Sequence, residues 1–218
     1  MSERFDPPVF VNVRDRWLDL RALVEWLEKA GHTRIVLLDN ETGYEPCLDY
    51  LATCPHEVVR LRRNLGSRAL WRSGLAPTRT PFVYSDPDVV PVEDCPLDAL
   101  GYLNELLERY PEAPKAALGL HLDDVPADLK CLQWERSLVD PWRELEPGVF
   151  LSAVDTTFAL YRPGVPFSYD GLRTGWPYVA RHTYWYEAST DGERDERAYY
   201  FAHCKGGIEG SSAKDGLQ

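Results

Sequence analysis

Apolar runs of strand length alternate with helix-period segments along most of this chain, and this alternation restricts the folds that it can adopt. The first run, Pro8 to Val13, precedes a segment whose leucines and valine recur on one helical face. Further strands are predicted at Ile35 to Leu38, Val58 to Leu61, Pro81 to Tyr84 and Ala116 to Leu122. Strands that alternate with helices are typical of βαβ units. The sequence therefore predicts an α/β fold with a mostly parallel sheet flanked by helices.

The later part of the chain is less regular. Val149 to Tyr161 is rich in β-branched and aromatic residues and is predicted to form one or two strands.

Gly31 stands where a helix C-cap glycine is expected. Helices are predicted at Pro46 to Ala52, Asp98 to Tyr110, Trp176 to Tyr186 and Glu193 to Ala202. The composition of residues 205–218 is that of a flexible tail. We predict a single domain over residues 1–218, because neither a linker nor a repeat interrupts it.

Charge and composition exclude several classes of function. The formal net charge of −11 argues against sequence-independent binding to nucleic acid, which needs Lys and Arg to neutralise phosphates. A small phosphorylated ligand would need a local cation, and a metal ion is the simplest one. The five cysteines form no Cys-x-x-Cys pair, and no run of roughly 20 apolar residues predicts a membrane span. We expect a cytoplasmic protein, since the first residues lack the apolar stretch of a signal peptide.

Two carboxylates leave the end of the fourth predicted strand, in the segment FVYSDPDVVP. Asp86 and Asp88 are separated by one residue. Ligands of open α/β sheets bind beyond the carboxyl ends of the strands, and paired carboxylates suit Mg²⁺ or Mn²⁺. Asp and Pro are also favoured in strand-end turns, which is the alternative explanation. The segment therefore predicts a divalent metal site or a turn.

The order of these strand-end residues resembles the GT-A glycosyltransferases, especially the broad family 2 group. In that group the second strand ends in an acidic residue that binds the nucleotide base, and here Asp39, followed by Asn40, stands at this place. The Asn-x-Gly that often follows the third strand matches Asn64 and Gly66, with Gly74 eight residues on. The Asp-x-Asp that binds the metal and diphosphate matches the two carboxylates above. The resemblance covers residues 8–92 and implies a nucleotide-binding half there and an acceptor half at about 93–204.

Other residues complete the predicted donor side of this site. The Pro-x-Tyr-Asn ending of the first strand in the group is absent, and Asn12 or Arg14 is expected to serve instead. Arg68 follows the glycine motif and is a candidate to offset diphosphate charge, or an exposed helix arginine. On the acceptor side, Asp155 begins DTTFALYR, which resembles the strand that lines the donor sugar in GT-A enzymes. We predict it as the general base or as a ligand of a sugar hydroxyl, with Asp124 as the second candidate base.

The C-terminal segment HCKGGIEGSSAK is similar to the His-x-x-Gly…Lys ending of family 8 transferases. That likeness implies that His203 is the third metal ligand, and that Lys214 with Ser211 or Ser212 binds the diphosphate. His182 is the alternative third ligand or a packed core residue. Nearby aromatic residues are candidates for a sugar-stacking platform or for core, namely Trp176, Tyr178, Trp185 and Tyr186.

These residues together predict a metal-dependent glycosyltransferase. It would move a sugar from a nucleoside diphosphate sugar to a hydroxyl acceptor, with inversion favoured by the family 2 likeness and retention by the family 8 likeness. One alternative is a nucleotidyltransferase acting on sugar phosphates, although VNVRDRWLDL lacks the glycine-rich signature that usually follows the first strand there. Another is a binding module for nucleotides or carbohydrates without catalysis.

Overall fold

The computed structural model describes residues 5–126, 132–155 and 157–203. In this part of the chain, twelve strands form a nine-stranded sheet and a three-stranded sheet. The strands are β1 (Val9–Val13), β2 (Ile35–Asp39), β3 (Glu57–Arg60), β4 (Phe82–Ser85), β5 (Val89–Pro91), β6 (Lys115–Ala117), β7 (Gly119–Leu120), β8 (Glu144–Glu146), β9 (Val149–Ala153), β10 (Ala159–Tyr161), β11 (Asp170–Thr174) and β12 (Val179–His182). The helices are α1 (Trp17–Lys29), α2 (Glu45–Thr53), α3 (Ala69–Arg72), α4 (Ala99–Arg109), α5 (Leu132–Ser137) and α6 (Asp191–His203).

The larger sheet has the order β3-β2-β1-β4-β10-β6-β11-β9-β8. Its first four strands are parallel, as the strand and helix alternation predicts. Beyond β4 the sheet is mixed, because β10 is antiparallel to both of its neighbours and β9 is antiparallel to β11 and β8. The predicted α/β class with a sheet flanked by helices is confirmed.

Helices pack on both faces of this sheet and bury its central strands, whereas the edge strands β3 and β8 are largely exposed. On one face, the apolar stripes of α1 and α4 cover strand residues such as Val11 and Leu160. On the other face, Leu70 of α3 packs with Tyr84 and Tyr161. Gly31 ends α1 as predicted, since its N–H donates to the Glu28 carbonyl and the next N–H donates to the Leu27 carbonyl. No helix among the described residues is long and apolar enough to cross a membrane.

Two predicted elements differ in the structure. The predicted strand from Ala116 to Leu122 divides at Leu118 into β6 and β7, which belong to different sheets. A side chain at Gly119 would meet the Thr174 carbonyl oxygen at 1.9 Å, so only glycine allows this close approach. The predicted helix from Trp176 to Tyr186 is wrong. This segment forms β12, which pairs with β5 and β7, and then a 3₁₀ turn at Thr183–Trp185.

The predicted helix from Glu193 to Ala202 is confirmed as α6. The predicted tail at residues 205–218 lies outside the described residues. The single-domain interpretation stays a prediction.

Candidate functional site

Three predicted donor-side segments meet at the carboxyl edge of β1, β2 and β4. The three strands are parallel neighbours, and their register sets Val13 beside Asp39 and Val11 beside Ser85. Asn12 therefore lies between the ends of β2 and β4. Its side-chain amide donates to the Gly66 carbonyl and to the Asp86 carboxylate, each at 3.4 Å. One amide thus joins the glycine loop to the first acid of Asp-x-Asp.

The loop after β3 is shaped by two asparagines. The Asn40 side chain accepts from the Leu65 N–H at 2.7 Å and donates to the Gly66 carbonyl at 3.1 Å. Asn64 accepts from the Gly66 N–H at 2.8 Å. Gly66 has a φ of 69°, a left-handed conformation that favours glycine. The predicted donor-binding residues Asn40 and Asn64 therefore hold this turn against the sheet edge.

Asp39 is buried at the end of β2, and two groups of the described residues bind its carboxylate. Its carboxylate accepts from the Thr42 N–H at 2.9 Å and from the Arg60 guanidinium at 2.6 Å. Arg60 lies beside it on the neighbouring strand β3. A nucleotide base would therefore meet Asp39 as an ion-paired carboxylate. The predicted contact with the base is not tested.

Asp88 occupies a different environment from Asp86. Its side chain is buried and ion-paired with Arg16, and the His182 Nε2 atom lies 3.6 Å from the same Asp88 oxygen. Burial alone would raise the pKa of Asp88, but the charges of Arg16 and His182 hold that pKa below its ordinary value. Asp88 is therefore a buried carboxylate, whereas Asp86 is half-buried. The opposite charge of Arg16 compensates the burial of Asp88.

Aromatic rings enclose the Arg16 guanidinium. It lies 3.5 Å from the ring centre of Tyr184 and 4.1 Å from that of Tyr200, so cation–π contacts add to the ion pair. Tyr200 belongs to α6, which crosses the turn between β1 and α1. The same helix contributes Glu196, whose carboxylate accepts from the Trp17 and Leu18 N–H groups at 2.7 and 3.0 Å. The N–H groups in the first turn of α1 therefore find their acceptor on α6.

Replacing Glu196 with alanine is expected to lower the free energy of unfolding by about 1–3 kcal/mol, the cost of buried donors that lose their acceptor. Burial raises the pKa of Glu196 to about 7, and either protonation state accepts these two bonds. Glu196→Gln should therefore recover most of the loss. Urea unfolding followed by circular dichroism measures it. Asp195→Ala, on the exposed side of α6, is the control, and equal losses in Asp195→Ala and Glu196→Ala would contradict the capping role.

The predicted residues Arg14 and His203 meet at this helix. Arg14 donates to the His203 carbonyl at 3.1 Å, and the His203 ring stacks on Tyr199 and donates to the Tyr199 carbonyl at 2.8 Å. Within the described ranges, no group of three or more His, Cys, Asp or Glu residues is arranged to hold a metal ion. His182, the alternative to His203, is the histidine that lies beside Asp88. Ser211, Ser212 and Lys214 lie outside the described residues.

Several buried polar atoms at this edge have no hydrogen-bond partner within the described part of the chain. They are Asn12 Oδ1, Arg16 Nε, His182 Nδ1 and Tyr184 OH. A buried polar atom without a partner costs about 1–3 kcal/mol and is uncommon in folded proteins. Their grouping around Asp88 and Asp86 indicates a place where a polar ligand would be bound favourably.

Asp155 is exposed and follows the buried Val154 after β9. Beneath it lies a lysine that the sequence analysis missed, Lys115 of β6. The Lys115 ammonium is fully buried and donates to the Val154 carbonyl at 2.6 Å and to the Tyr161 hydroxyl at 3.3 Å. Burial lowers the pKa of Lys115 to about 7, although the charges of Asp155 and Asp170 oppose this shift. The signal in the sequence was a lone lysine at the start of an apolar run.

Asp124, the second candidate base, is bound by three side chains. Arg181 and the Tyr186 hydroxyl donate to its carboxylate, the latter at 2.7 Å, and His121 lies 3.5 Å away. Desolvation would raise the pKa of Asp124, but these hydrogen bonds and the Arg181 charge hold it below its ordinary value. Because a general base works best with a pKa near the operating pH, these contacts make Asp124 less suited to act as the base. Neither role is tested.

Arg68 lies at the other end of the glycine loop. It donates to the Tyr169 hydroxyl at 3.1 Å, and its guanidinium is 4.4 Å from the ring centre of Phe167. These contacts hold a positive charge at the exposed side of the site.

The four aromatic residues of the proposed stacking platform have separate partners. Tyr178 stacks on Tyr102, Trp185 stacks on His182, and Tyr186 binds Asp124. Trp176 is 59% exposed. The structure does not bring these four rings together on one platform.

No protein-family model matches the chain, and no curated protein matches its sequence. Among solved structures it is similar to UDP-glucose pyrophosphorylase complexed with UDP-glucose, at 14% identity and a TM-score of 0.40, over 78% of this chain and 74% of that one. An apo UDP-glucose pyrophosphorylase (10% identity) and a 4-diphosphocytidyl-2C-methyl-D-erythritol synthase (11%) each have a TM-score of 0.40, over 90% of this chain and 99% of theirs. Similarity at this level carries no argument about activity.

Proposed function

We propose that this protein transfers a sugar from a nucleoside diphosphate sugar to a hydroxyl acceptor. The observation that supports this most is the Asn12 amide, which links the Gly66 loop to Asp86 at the carboxyl edge of the parallel strands. Ligands of open α/β sheets bind at this edge. The nucleotide would lie across the ends of β1 and β2, with its diphosphate directed toward Asp86.

A divalent cation, Mn²⁺ or Mg²⁺, fits the carboxylate of Asp86. That side chain is only half-buried and offers oxygen ligands, and Mg²⁺ is usually bound by one or two carboxylates together with substrate phosphates. The cation would stabilise the charge of the departing diphosphate when it is bound. Asp88 and His203 stay predicted ligands. For Asp88 this role requires that the cation bind the carboxylate oxygen not taken by Arg16, or that Arg16 move away.

Asp155 is proposed to accept the proton of the acceptor hydroxyl, as an inverting transfer requires. Its exposed position after β9 leaves the carboxylate accessible to an acceptor. The hydrogen bond from Lys115 to the adjacent Val154 carbonyl fixes the backbone that carries Asp155. The charge of Arg68, held by Tyr169, would face the donor from the opposite side of the glycine loop.

The first turn does not distinguish sugar transfer from the nucleotidyltransferase alternative. The turn between β1 and α1 holds two arginines, of which Arg16 is ion-paired with Asp88 and Arg14 donates to the His203 carbonyl. Both cations are engaged within the protein. These contacts bear equally on the diphosphate of a sugar donor and on a triphosphate.

Replacing Asp86 with asparagine is expected to weaken the Mn²⁺-dependent binding of a nucleoside diphosphate by about 10- to 100-fold, the loss of one charge-assisted contact. Titration calorimetry with UDP, GDP, CDP and ADP, with and without Mn²⁺, first identifies the base that binds. The same titration on Asp86→Asn then measures the loss. Asp49→Asn, on the exposed face of α2, should bind as the wild type does.

Two results would count against the proposed donor site. One is unchanged affinity in Asp86→Asn with Mn²⁺ present. The other is that the wild-type protein binds none of the four nucleotides.

A further inference from the structure

A cavity lies at the far end of the larger sheet, away from the ends of β1 and β2. It has a volume of about 390 Å³ and opens between the 3₁₀ turn Pro141–Arg143 and strands β9 and β11. We call it the β9 cavity. It is not evident from local sequence, because its walls come from three segments that are separate in the chain, around Trp142, Ser152 and Asp170.

Three polar side chains line the β9 cavity. Ser152 is 5% exposed, and its hydroxyl has no hydrogen-bond partner within the described part of the chain. The Arg143 Nε atom is likewise buried without a partner there. Asp170 adds a carboxylate to the same wall. Arg143 can only donate, Asp170 can only accept, and Ser152 can do both, so the set suits a ligand that carries several hydroxyl groups.

An exposed indole ring stands beside these polar groups. Trp142 is 72% exposed, and the Arg143 guanidinium covers one face of its ring at 4.0 Å from the centre. Leu151, which is 52% exposed, adds an apolar surface on β9. Ligand pockets usually combine apolar and aromatic walls with a few placed polar groups. A flat ring next to hydroxyl-binding groups matches the C–H face and the hydroxyl edge of a sugar.

The β9 cavity adjoins the proposed acceptor side of the site. Strand β9 ends at Ala153, which lines the cavity, two residues before Asp155. On the facing strand, Asp170 follows Tyr169, whose hydroxyl accepts from Arg68. Two residues of the cavity wall are therefore close neighbours in sequence of the proposed site: Ala153 of the base Asp155, and Asp170 of Tyr169 on the donor side.

We propose that the β9 cavity binds a neutral saccharide, which is the acceptor of the transfer. The ring of Trp142 would stack on the sugar, and Ser152, Arg143 and Asp170 would bind its hydroxyls. This assignment rests on the proposed function for its acceptor role. An anionic ligand would be repelled by Asp170 and by the net charge of −11. An apolar peptide would leave the Ser152 and Arg143 groups without partners.

Saturation-transfer NMR with a fixed panel of probes tests this assignment. The panel consists of the methyl glycosides of glucose, galactose, mannose and N-acetylglucosamine, with cellobiose and lactose. We expect at least one probe to bind, and Trp142→Ala to weaken it by at least tenfold. Ser152→Ala should weaken the same probe by about three- to tenfold, the usual contribution of one hydrogen bond. Trp134→Ala, which removes another exposed indole, should bind as the wild type does.

The outcomes separate this assignment from the proposed function. If no probe binds, or if Trp142→Ala and Trp134→Ala bind alike, the saccharide site is overturned while nucleotide binding at Asp86 can still hold. If a probe binds at Trp142 but no nucleoside diphosphate binds at Asp86, the acceptor role is overturned. Nucleotide affinity should be unchanged in Trp142→Ala, and a loss there would mean that the variant disturbs the whole sheet. In that case the weaker probe binding of Trp142→Ala no longer supports a saccharide site in the β9 cavity. The probe affinity of Ser152→Ala then tests the site instead.

Discussion

Replacing Arg16 with methionine is expected to lower the free energy of unfolding by about 3–5 kcal/mol, because it leaves the Asp88 carboxylate buried without its partner. Asp88 is 2% exposed, and the pair lies between α1 and the rings of Tyr184 and Tyr200. Asp88→Ala should cost a similar amount for the same reason. Urea unfolding, followed by circular dichroism and by tryptophan fluorescence, measures both variants.

A double variant distinguishes the pair from simple loss of packing. Arg16→Met combined with Asp88→Ala removes both charges, so its loss should be clearly smaller than the sum of the two single losses. Arg21→Met is the control, because Arg21 forms an exposed ion pair with Glu25 on the same helix and should cost less than about 1 kcal/mol. A loss of under 1 kcal/mol in Arg16→Met would show that the buried pair does not stabilise this fold.

This expected loss changes how activity data on the Asp-x-Asp segment are to be interpreted. An inactive Asp88→Ala protein would not identify a metal ligand, since unfolding explains the same result. Asp86, whose side chain is half-buried, is the informative position for metal binding.

Replacing Lys115 with methionine is expected to change the pH dependence of stability more than any other single substitution in the sheet. Burial lowers the pKa of Lys115 to about 7 in the fold, from 10.5 as the ordinary value. Between these two pH values the unfolded chain binds a proton that the folded chain does not, so this residue makes stability rise with pH. For one proton the slope approaches about 1.4 kcal/mol per pH unit. Below pH 7 Lys115 is charged in both states, so the free energy of unfolding is lowered by the full cost of burying the charge.

Urea unfolding at half-unit steps from pH 6 to pH 9.5 measures this slope. The difference between wild type and Lys115→Met isolates the lysine, because the buried Cys47 and tyrosines titrate in both proteins. We expect the variant to gain stability relative to the wild type toward pH 6. Lys29→Met, at an exposed position of α1, should follow the wild-type curve. Parallel curves for wild type and Lys115→Met would contradict the lowered pKa.

The strand ends on the proposed donor side follow from local sequence, while the donor-binding roles of their residues stay predictions. Strands β1, β2 and β4 are short apolar runs, so their ends place Asp39 and Asp86. Because parallel strands end at the same edge of a sheet, these strand ends lie together. The link made by Asn12 follows from its place between them.

The remaining contacts depend on residues far apart in the chain. Arg16 and Asp88 are 72 positions apart, and nothing local distinguishes Arg16 from other arginines. The segment Trp176 to Tyr186 was predicted as a helix because its aromatic spacing imitates one. Its true partners, β5 and β7, precede it by about 60 to 90 residues, and this pairing outweighs local preference. The burial of Lys115 is not evident from its own segment, because β6 is enclosed only by its pairing with β10 and β11.

The cap that α6 places on α1 also has a consequence for the order in which the chain acquires its structure during synthesis. The hydrogen bond from the Trp17 N–H to Glu196 spans 179 positions, so it forms only after all of the intervening residues have been synthesised. Contacts of such long range slow folding, because a large loop must close before they form. Until then the nascent chain carries an α1 with an open first turn and an Arg16 that lacks the Tyr200 ring. Among the described helices, α6, which is translated latest, thus supplies the acceptor for the first turn of α1, which is translated earliest.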